Sequence, residues 1–212
     1  MLLKNDEAYY GLCAECAALF PVENESRCES CGRPLISETG HCLSCRAEDP
    51  PSFDGVISLY PYLGRHKKIL SAYKFGKNRC LGNFFAEKFL EGCALFPPFD
   101  NKPVWVPVPP RSGKIKKTGW DQIEYIARAI ECKKQIQVER CLKRLPTKSQ
   151  KELGRQGRKT NLKGRILTVK KPPENVILFD DVFTTGSTMD VCAAALKDAG
   201  SKTVHGICLY YD

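Results

Sequence analysis

Hydrophobic positions fall along this chain in short blocks that alternate between two periods. Residues 176–179, Val-Ile-Leu-Phe, form a continuous apolar run of the length expected of a strand buried on both faces. Residues 189–199 (MDVCAAALKDA) then read as a helix, with Gly200 as its stop signal. The same alternation holds upstream. Residues 54–62 (DGVISLYPY) read as a strand, 65–75 as a basic amphipathic helix and 81–91 as another helix. Residues 104–108 (VWVPV) read as a strand that stops at Pro109-Pro110-Arg111, 122–133 as a helix, and 202–211 as the final strand. Strands alternating with helices predict an α/β fold with a doubly wound parallel sheet.

The most informative junction lies between the 176–179 run and the helix after it. Two carboxylates, Asp180 and Asp181, come first, followed by a loop with Thr184, Thr185, Gly186, Ser187 and Thr188. In open α/β sheets ligands bind at the carboxyl ends of strands. The loop amides and helix start offer N–H donors and a positive dipole end, and Gly186 permits close backbone approach to an anion. Asp180 and Asp181 would repel a phosphate sharing their pocket, but they suit the hydroxyls of an attached ribose. The order therefore predicts a sugar-phosphate site. Two other phosphate motifs are absent: no Gly-x-x-x-x-Gly-Lys-Ser/Thr and no Gly-x-Gly-x-x-Gly occurs.

Length and composition place the chain among soluble globular proteins. Its 212 residues hold one sizeable domain plus a small module. No apolar run is long enough to span a membrane, and the first ten residues lack a signal-peptide core, so the expected location is the cytoplasm, without membrane insertion. The net charge of +9 is unevenly spread. Residues 102–171 hold 20 Lys or Arg against 5 Asp or Glu, a balance of +15, which leaves −6 for the remainder. A basic middle suits an anionic ligand or nucleic acid, and equally a solvated lysine-rich surface.

Twelve cysteines are many for a chain of this size, and six form three C-x-x-C pairs: Cys13/Cys16, Cys28/Cys31 and Cys42/Cys45. Clustered pairs in a reducing compartment favour metal over disulfides. Two facing C-x-x-C turns make a tetrahedral zinc site, and Gly32 after Cys31 suits the turn that such a knuckle needs. Cys28, Cys31, Cys42 and Cys45 are the expected zinc ligands, with Cys13 and Cys16 the alternative pair and His41 a weaker candidate. Four thiolates leave no open coordination position, so the zinc is structural. It supplies folding free energy to a segment too short for its own core. Residues 1–50 form this cysteine-rich module, residues 46–53 (RAEDPPSF) close it, and 51–212 form the main domain.

The Asp180–Thr188 segment resembles the phosphoribosyl-pyrophosphate (PRPP) signature of type I phosphoribosyltransferases. The resemblance then extends over almost the whole chain to the ComF family of phosphoribosyltransferase-like competence proteins. It rests on the cysteine ribbon, "SFDGVISLYPY", "ILSAYKFGKNRCLG", "VPVPPRSGKIKKTGWDQ" and "RLPTKSQKELGRQGRKTNLKG". The first of the family's four C-x-x-C pairs is missing here. The family's arginine–glycine–aromatic–asparagine–glutamine motif reads Lys117-Thr118-Gly119-Trp120-Asp121-Gln122.

The resemblance implies a type I phosphoribosyltransferase fold behind an N-terminal zinc ribbon. It makes Asp180 and Asp181 the ribose ligands and Thr184 to Thr188 the 5′-phosphate loop. Val108, Pro109, Pro110 and Arg111 become the pyrophosphate loop, and Lys148, Lys151, Arg155 and Arg158 the cations of a mobile loop. Mg²⁺ would arrive with PRPP, held mainly by ligand oxygens. Two activities follow. One is a Mg²⁺-dependent phosphoribosyltransferase, for which no general base or acceptor pocket is evident. The other is a non-catalytic competence factor that binds single-stranded DNA and uses the loop for a nucleotide or regulatory ligand. Trp120 and the Tyr73-Lys74-Phe75 stretch would supply stacking in that role. The family also implies a competence helicase as partner.

Overall fold

The computed structural model describes residues 10–76, 78–133, 136–146 and 164–212. Its first half runs α1 (Ala14–Ala17), β1 (Gly55–Pro61), α2 (Gly64–Lys74), α3 (Leu81–Cys93), β2 (Val104–Pro107) and α4 (Lys114–Thr118). The second half runs α5 (Gln122–Glu131), β3 (Leu142–Arg144), β4 (Ile166–Thr168), β5 (Asn175–Phe183), α6 (Ser187–Asp198) and β6 (Thr203–Tyr211). Four parallel strands make the main sheet in the order β1-β6-β5-β2, and β3 pairs antiparallel with β4. The fold is the α/β arrangement that the alternation predicts. No helix among the described residues is long and apolar enough to cross a membrane.

Side-chain alternation in β5 explains the two-sided core. Ile177 and Phe179 face a layer containing Phe89 of α3, Ile126 and Ile130 of α5, and Trp105. Val176 and Leu178 face the other way, among Cys192 and Leu196 of α6, Val106 and Val204. Phe89 is fully buried, edge-on to Phe179 at 5.4 Å and to Trp105 at 6.5 Å. Truncating such a ring costs roughly 3–5 kcal/mol.

β5 is longer than its apolar run. It continues through Asp180 and Asp181 to Phe183, because β6 supplies parallel partners to its end, Val182↔Tyr210 and Phe183↔Tyr211. The acids therefore belong to the strand rather than to the loop after it. Helix α6 starts two residues earlier than its apolar pattern suggests, which places Ser187 and Thr188 in its first turn.

The cysteine-bearing segment lies against β1. Gly32 has φ +69°, and a Cβ there would stand 2.7 Å from the Ser58 N and the Val56 O. Only glycine lets this turn approach the strand so closely. Ser58 N donates to the Gly32 carbonyl at 3.1 Å, and Ser58 Oγ donates to the Cys31 carbonyl at 2.9 Å. Arg27 Nη1 donates to the Ser58 carbonyl at 2.7 Å and to that of Gly32 at 3.2 Å.

Candidate functional site

β5 and β2 are neighbours, and the residues beyond their carboxyl ends line one cavity of about 600 Å³. Asp180 and Asp181 line it from β5, Thr184 from the loop after it and Thr188 from α6, and Val108, Pro109, Pro110 and Arg111 from the turn after β2. Arg144, at the end of β3, also reaches it. A larger hollow of about 820 Å³ beside α6 includes Asp49, Asp190 and Asp198 in its lining and, among the described residues, no cation. That charge disfavours a phosphate, so the chemistry points to the smaller cavity.

The two acids are treated differently by their surroundings. Adjacent residues of a strand point to opposite faces. Asp181, 7% exposed, accepts from Gln122 Nε2 at 2.6 Å and pairs with Lys74 Nζ at 2.9 Å, both through Oδ2. Asp180 points toward Cys192 and Cys208 and accepts the Asp181 N–H through Oδ1 at 2.8 Å. Burial, reinforced by the Asp181 carboxylate, pushes the Asp180 carboxyl up to about 8, against the pull of that N–H donor.

A second polar chain supports the first. Asp121 caps α5, its Oδ1 accepting the Ile123 and Glu124 N–H groups at 2.9 and 3.0 Å. Lys114 Nζ donates to Asp121 Oδ2 at 2.7 Å and also to Gln122 Oε1. Thus the Asp-Gln pair at 121–122 fixes the helix start with one residue and steadies Asp181 with the other. Burial, with Arg111 nearby, lowers the Arg144 guanidinium from its ordinary value.

The loop before α6 turns tightly into the helix. Gly186 precedes the helix at φ +70° and offers no capping side chain, while Thr185 Oγ1 accepts the Ser187 N–H at 3.4 Å. A Cβ at Gly186 would stand 2.5 Å from the Phe183 ring, so the ring and the glycine fit each other. Thr184 and Thr188 line the cavity. Gly186 and Ser187 join them and Asp180 around a small recess. Thr185 turns away, sharing a hydrogen bond with Ser187 Oγ at 2.9 Å and lining a narrow gap toward Cys31 and Cys45. Across β2 the Pro109-Pro110 pair has no N–H to offer, so an anion there meets the exposed Arg111 side chain instead.

The structure gathers Cys28, Cys31, Cys42 and Cys45, all buried, with their sulfurs within 4.8 Å of one another. Cys31 and Cys42 are 3.8 Å apart, and sulfurs around a tetrahedral zinc at ~2.3 Å stand about 3.8 Å apart. Burial raises the Cys28 thiol, but N–H donors from Cys42, Ser30 and Cys31 outweigh it and bring the group down to about 7. Burial pushes Cys31 up to about 11 and raises Cys45 as well. A divalent cation would relieve this crowding of thiolates, so the donor set fits a structural metal such as zinc. Cys13 and Cys16 stand outside the group; Cys13 Sγ accepts the Cys16 N–H at 3.4 Å. His41 instead faces Glu29 at 3.9 Å.

Lys114 and Arg144 join the cavity although the sequence assigns them no site role, and Lys74 and Asp121 join it in roles other than the stretch and motif that drew notice to them. Within the aromatic-basic stretch at 73–75 only Phe75 is free to stack. Tyr73 is fully buried and donates to the Gln122 carbonyl at 2.7 Å, Lys74 turns to Asp181, and Phe75 alone is exposed. Lys148, Lys151, Arg155 and Arg158 lie outside the described residues.

No family model matches the chain. It is 26% identical over 206 residues to Competence protein ComFC of Streptococcus pneumoniae, covering 96% of this chain and 88% of that protein. Over 208 residues it is 25% identical to Competence protein F of Haemophilus influenzae, covering 92% and 87%. With DNA utilization protein YhgH of Salmonella typhi it shares 25% over 210 residues, covering 95% and 91%.

Proposed function

We propose that this chain, which belongs to the ComF family, serves competence and DNA uptake through a site that binds a 5′-phosphorylated ribose. In this reading 51–212 is a phosphoribosyltransferase-like domain and 1–50 its cysteine module. Asp180 and Asp181 take the ribose hydroxyls, and the loop from Thr184 to Thr188 takes the 5′-phosphate. Arg111 and Arg144 meet further negative charge. The observation that carries the reading is the shared cavity: an acid pair, a helix start preceded by Gly186 and two guanidiniums converge on about 600 Å³. The names of the relatives support the process, and the geometry is what supports the ligand class.

Calorimetry with PRPP and with ribose 5-phosphate tests this on the wild type and on Asp180→Asn/Asp181→Asn. Binding by the wild type and a loss of about tenfold or more in the double variant are expected, about 1.4 kcal/mol. Silence from the wild type, or equal binding by the variant, sinks the reading. Pyrophosphate release across a panel of bases and amines separates an enzyme from a binding protein.

One observation favours a nucleic-acid role beside this one. Phe75, 79% exposed, and Trp120, with the Arg79 guanidinium 5.8 Å from its ring centroid, both line the cavity. A base attached to the bound ribose would find aromatic faces there. Single-stranded DNA binding that falls steeply with salt supports this role, and flat binding from low to moderate salt removes it.

A further inference from the structure

Two adjacent carboxylates at a phosphate site invite a divalent metal, but one oxygen of each is already engaged. Mg²⁺ demands near-octahedral oxygen ligands at ~2.1 Å. Asp181 Oδ2 already accepts two donors, the Lys74 ammonium at 2.9 Å and the Gln122 amide at 2.6 Å. Asp180 Oδ1 already accepts the Asp181 N–H. A metal bridging the pair would sit beside an ammonium held by the same carboxylate. This donor set does not fit a protein-held Mg²⁺.

Lys74 is fixed in that position by its helix. It occupies the last turn of α2, where a cation is favoured by the helix dipole. Its neighbour Tyr73 is fully buried and hydrogen-bonded to the Gln122 carbonyl, so α2 and the start of α5 are tied together beside Asp181. The Lys74 and Asp181 side chains are 19% and 9% exposed, which removes most of the solvent screening that weakens surface pairs.

The charges of the cavity then sort themselves. Lys74 offsets Asp181, and Lys114 offsets Asp121. Burial and Asp181 favour the protonated, neutral form of Asp180. Arg111 and Arg144 are left without a carboxylate partner in salt-bridge range among the described residues, two positive charges facing the cavity. A phosphomonoester carries about −1.5 to −2 at neutral pH.

Resting on the ribose-phosphate reading above, we propose that Lys74 is the built-in counter-cation of this site. It lets the site take a ribose 5-phosphate monoester, free or in a nucleotide, without a divalent metal. Lys74 acts through Asp181, holding its carboxylate toward the sugar hydroxyls, and does not itself act on the ligand.

Calorimetry of ribose 5-phosphate binding in EDTA and in Mg²⁺ decides the matter. The wild type should change by less than about threefold between the two. Lys74→Met should lose about tenfold or more in EDTA and recover most of it in Mg²⁺, while Lys74→Arg should follow the wild type. Wild-type binding that appears only with Mg²⁺ overturns this proposal and leaves the sugar-phosphate reading standing. No binding in either buffer overturns both. A Lys74→Met protein that keeps its Tm and binds normally in EDTA overturns the role of Lys74. The wild-type arm decides metal dependence even where the variant fails to fold.

Discussion

The cysteine cluster and the Asp180–Asp181 cavity are both compact gatherings of groups that can carry negative charge, yet they solve that problem in opposite ways. At the cysteines the Arg33 guanidinium lies beside Cys31, yet four thiols converge within 4.8 Å, more charge as thiolates than one cation offsets and a donor set that an external metal can complete. At the acids, the protein supplies the partners itself: Lys74 and Gln122 on Asp181, a backbone N–H and an elevated pKa on Asp180. A site that receives its cation from outside depends on metal supply. One that carries its own leaves its remaining cations free for an anionic ligand.

The strongest way to break this contrast is at the cysteines. Cys28→Ser or Cys42→Ser should abolish stoichiometric metal and unfold the segment, since structural zinc is worth on the order of 10 kcal/mol to small modules. Metal analysis alongside thermal unfolding checks it, and undiminished metal in both variants would remove these ligands from consideration. Next comes the internal pair. Lys74→Met alone leaves a buried carboxylate without its charge partner and should cost about 3–5 kcal/mol. The double variant Lys74→Met/Asp181→Leu should recover part of that loss, and a denaturation cycle in which the two changes simply add would show the pair to be uncoupled.

The Asp180 carboxyl gives a smaller effect with a definite sign. Its folded-state pKa is raised to about 8, so between its unfolded value near 4 and about 8 the folded protein holds the extra proton. The stability it contributes is present at low pH and is lost as pH rises through about 8. The unfolding free energy should therefore fall between about pH 5 and pH 8.5 in the wild type, by an amount on the order of a few kcal/mol read as a falling Tm, and Asp180→Asn should flatten that slope. An unchanged slope in the variant refutes the assignment. The smallest expected effect is at the remaining C-x-x-C pair. Cys13→Ser/Cys16→Ser should keep its metal and shift stability by less than about 0.5 kcal/mol, because these thiols lie away from the cluster.

The sequence makes the sheet legible and leaves much of the cavity's lining hidden. Strands β1, β2 and β6 and helices α2, α3 and α5 match their apolar blocks to within about two residues, because each buries a face with a clear period. The β3–β4 pair has three residues per strand, too few for any period to register, and α4 is a five-residue turn of lysines with no buried residue. The acids and the loop after them announce themselves because they are contiguous. Lys74, Lys114 and Arg144 do not, since each comes from a different element and sits in a run that reads as solvated charge. Asp121 shows why a changed motif need not mean a lost function: it caps α5 and holds Lys114, while its neighbour Gln122 reaches Asp181. The cysteine spacing alone leaves the Cys13/Cys16 alternative open, and only the packing of Gly32 against β1 and the convergence of four sulfurs separate the pairs.

The Phe183 ring gives the two regions a common wall. It lies edge-on to Phe53, 6.3 Å away, within the apolar cluster that contains the four cysteines, and it also packs against Gly186 just before α6. A ring that both regions press against is a path for thermodynamic linkage. Whatever factor metal binding contributes to ligand affinity, ligand binding must return to metal affinity in equal measure. A zinc-release titration run with and without ribose 5-phosphate would read that reciprocity directly, and Phe183→Leu should shrink it.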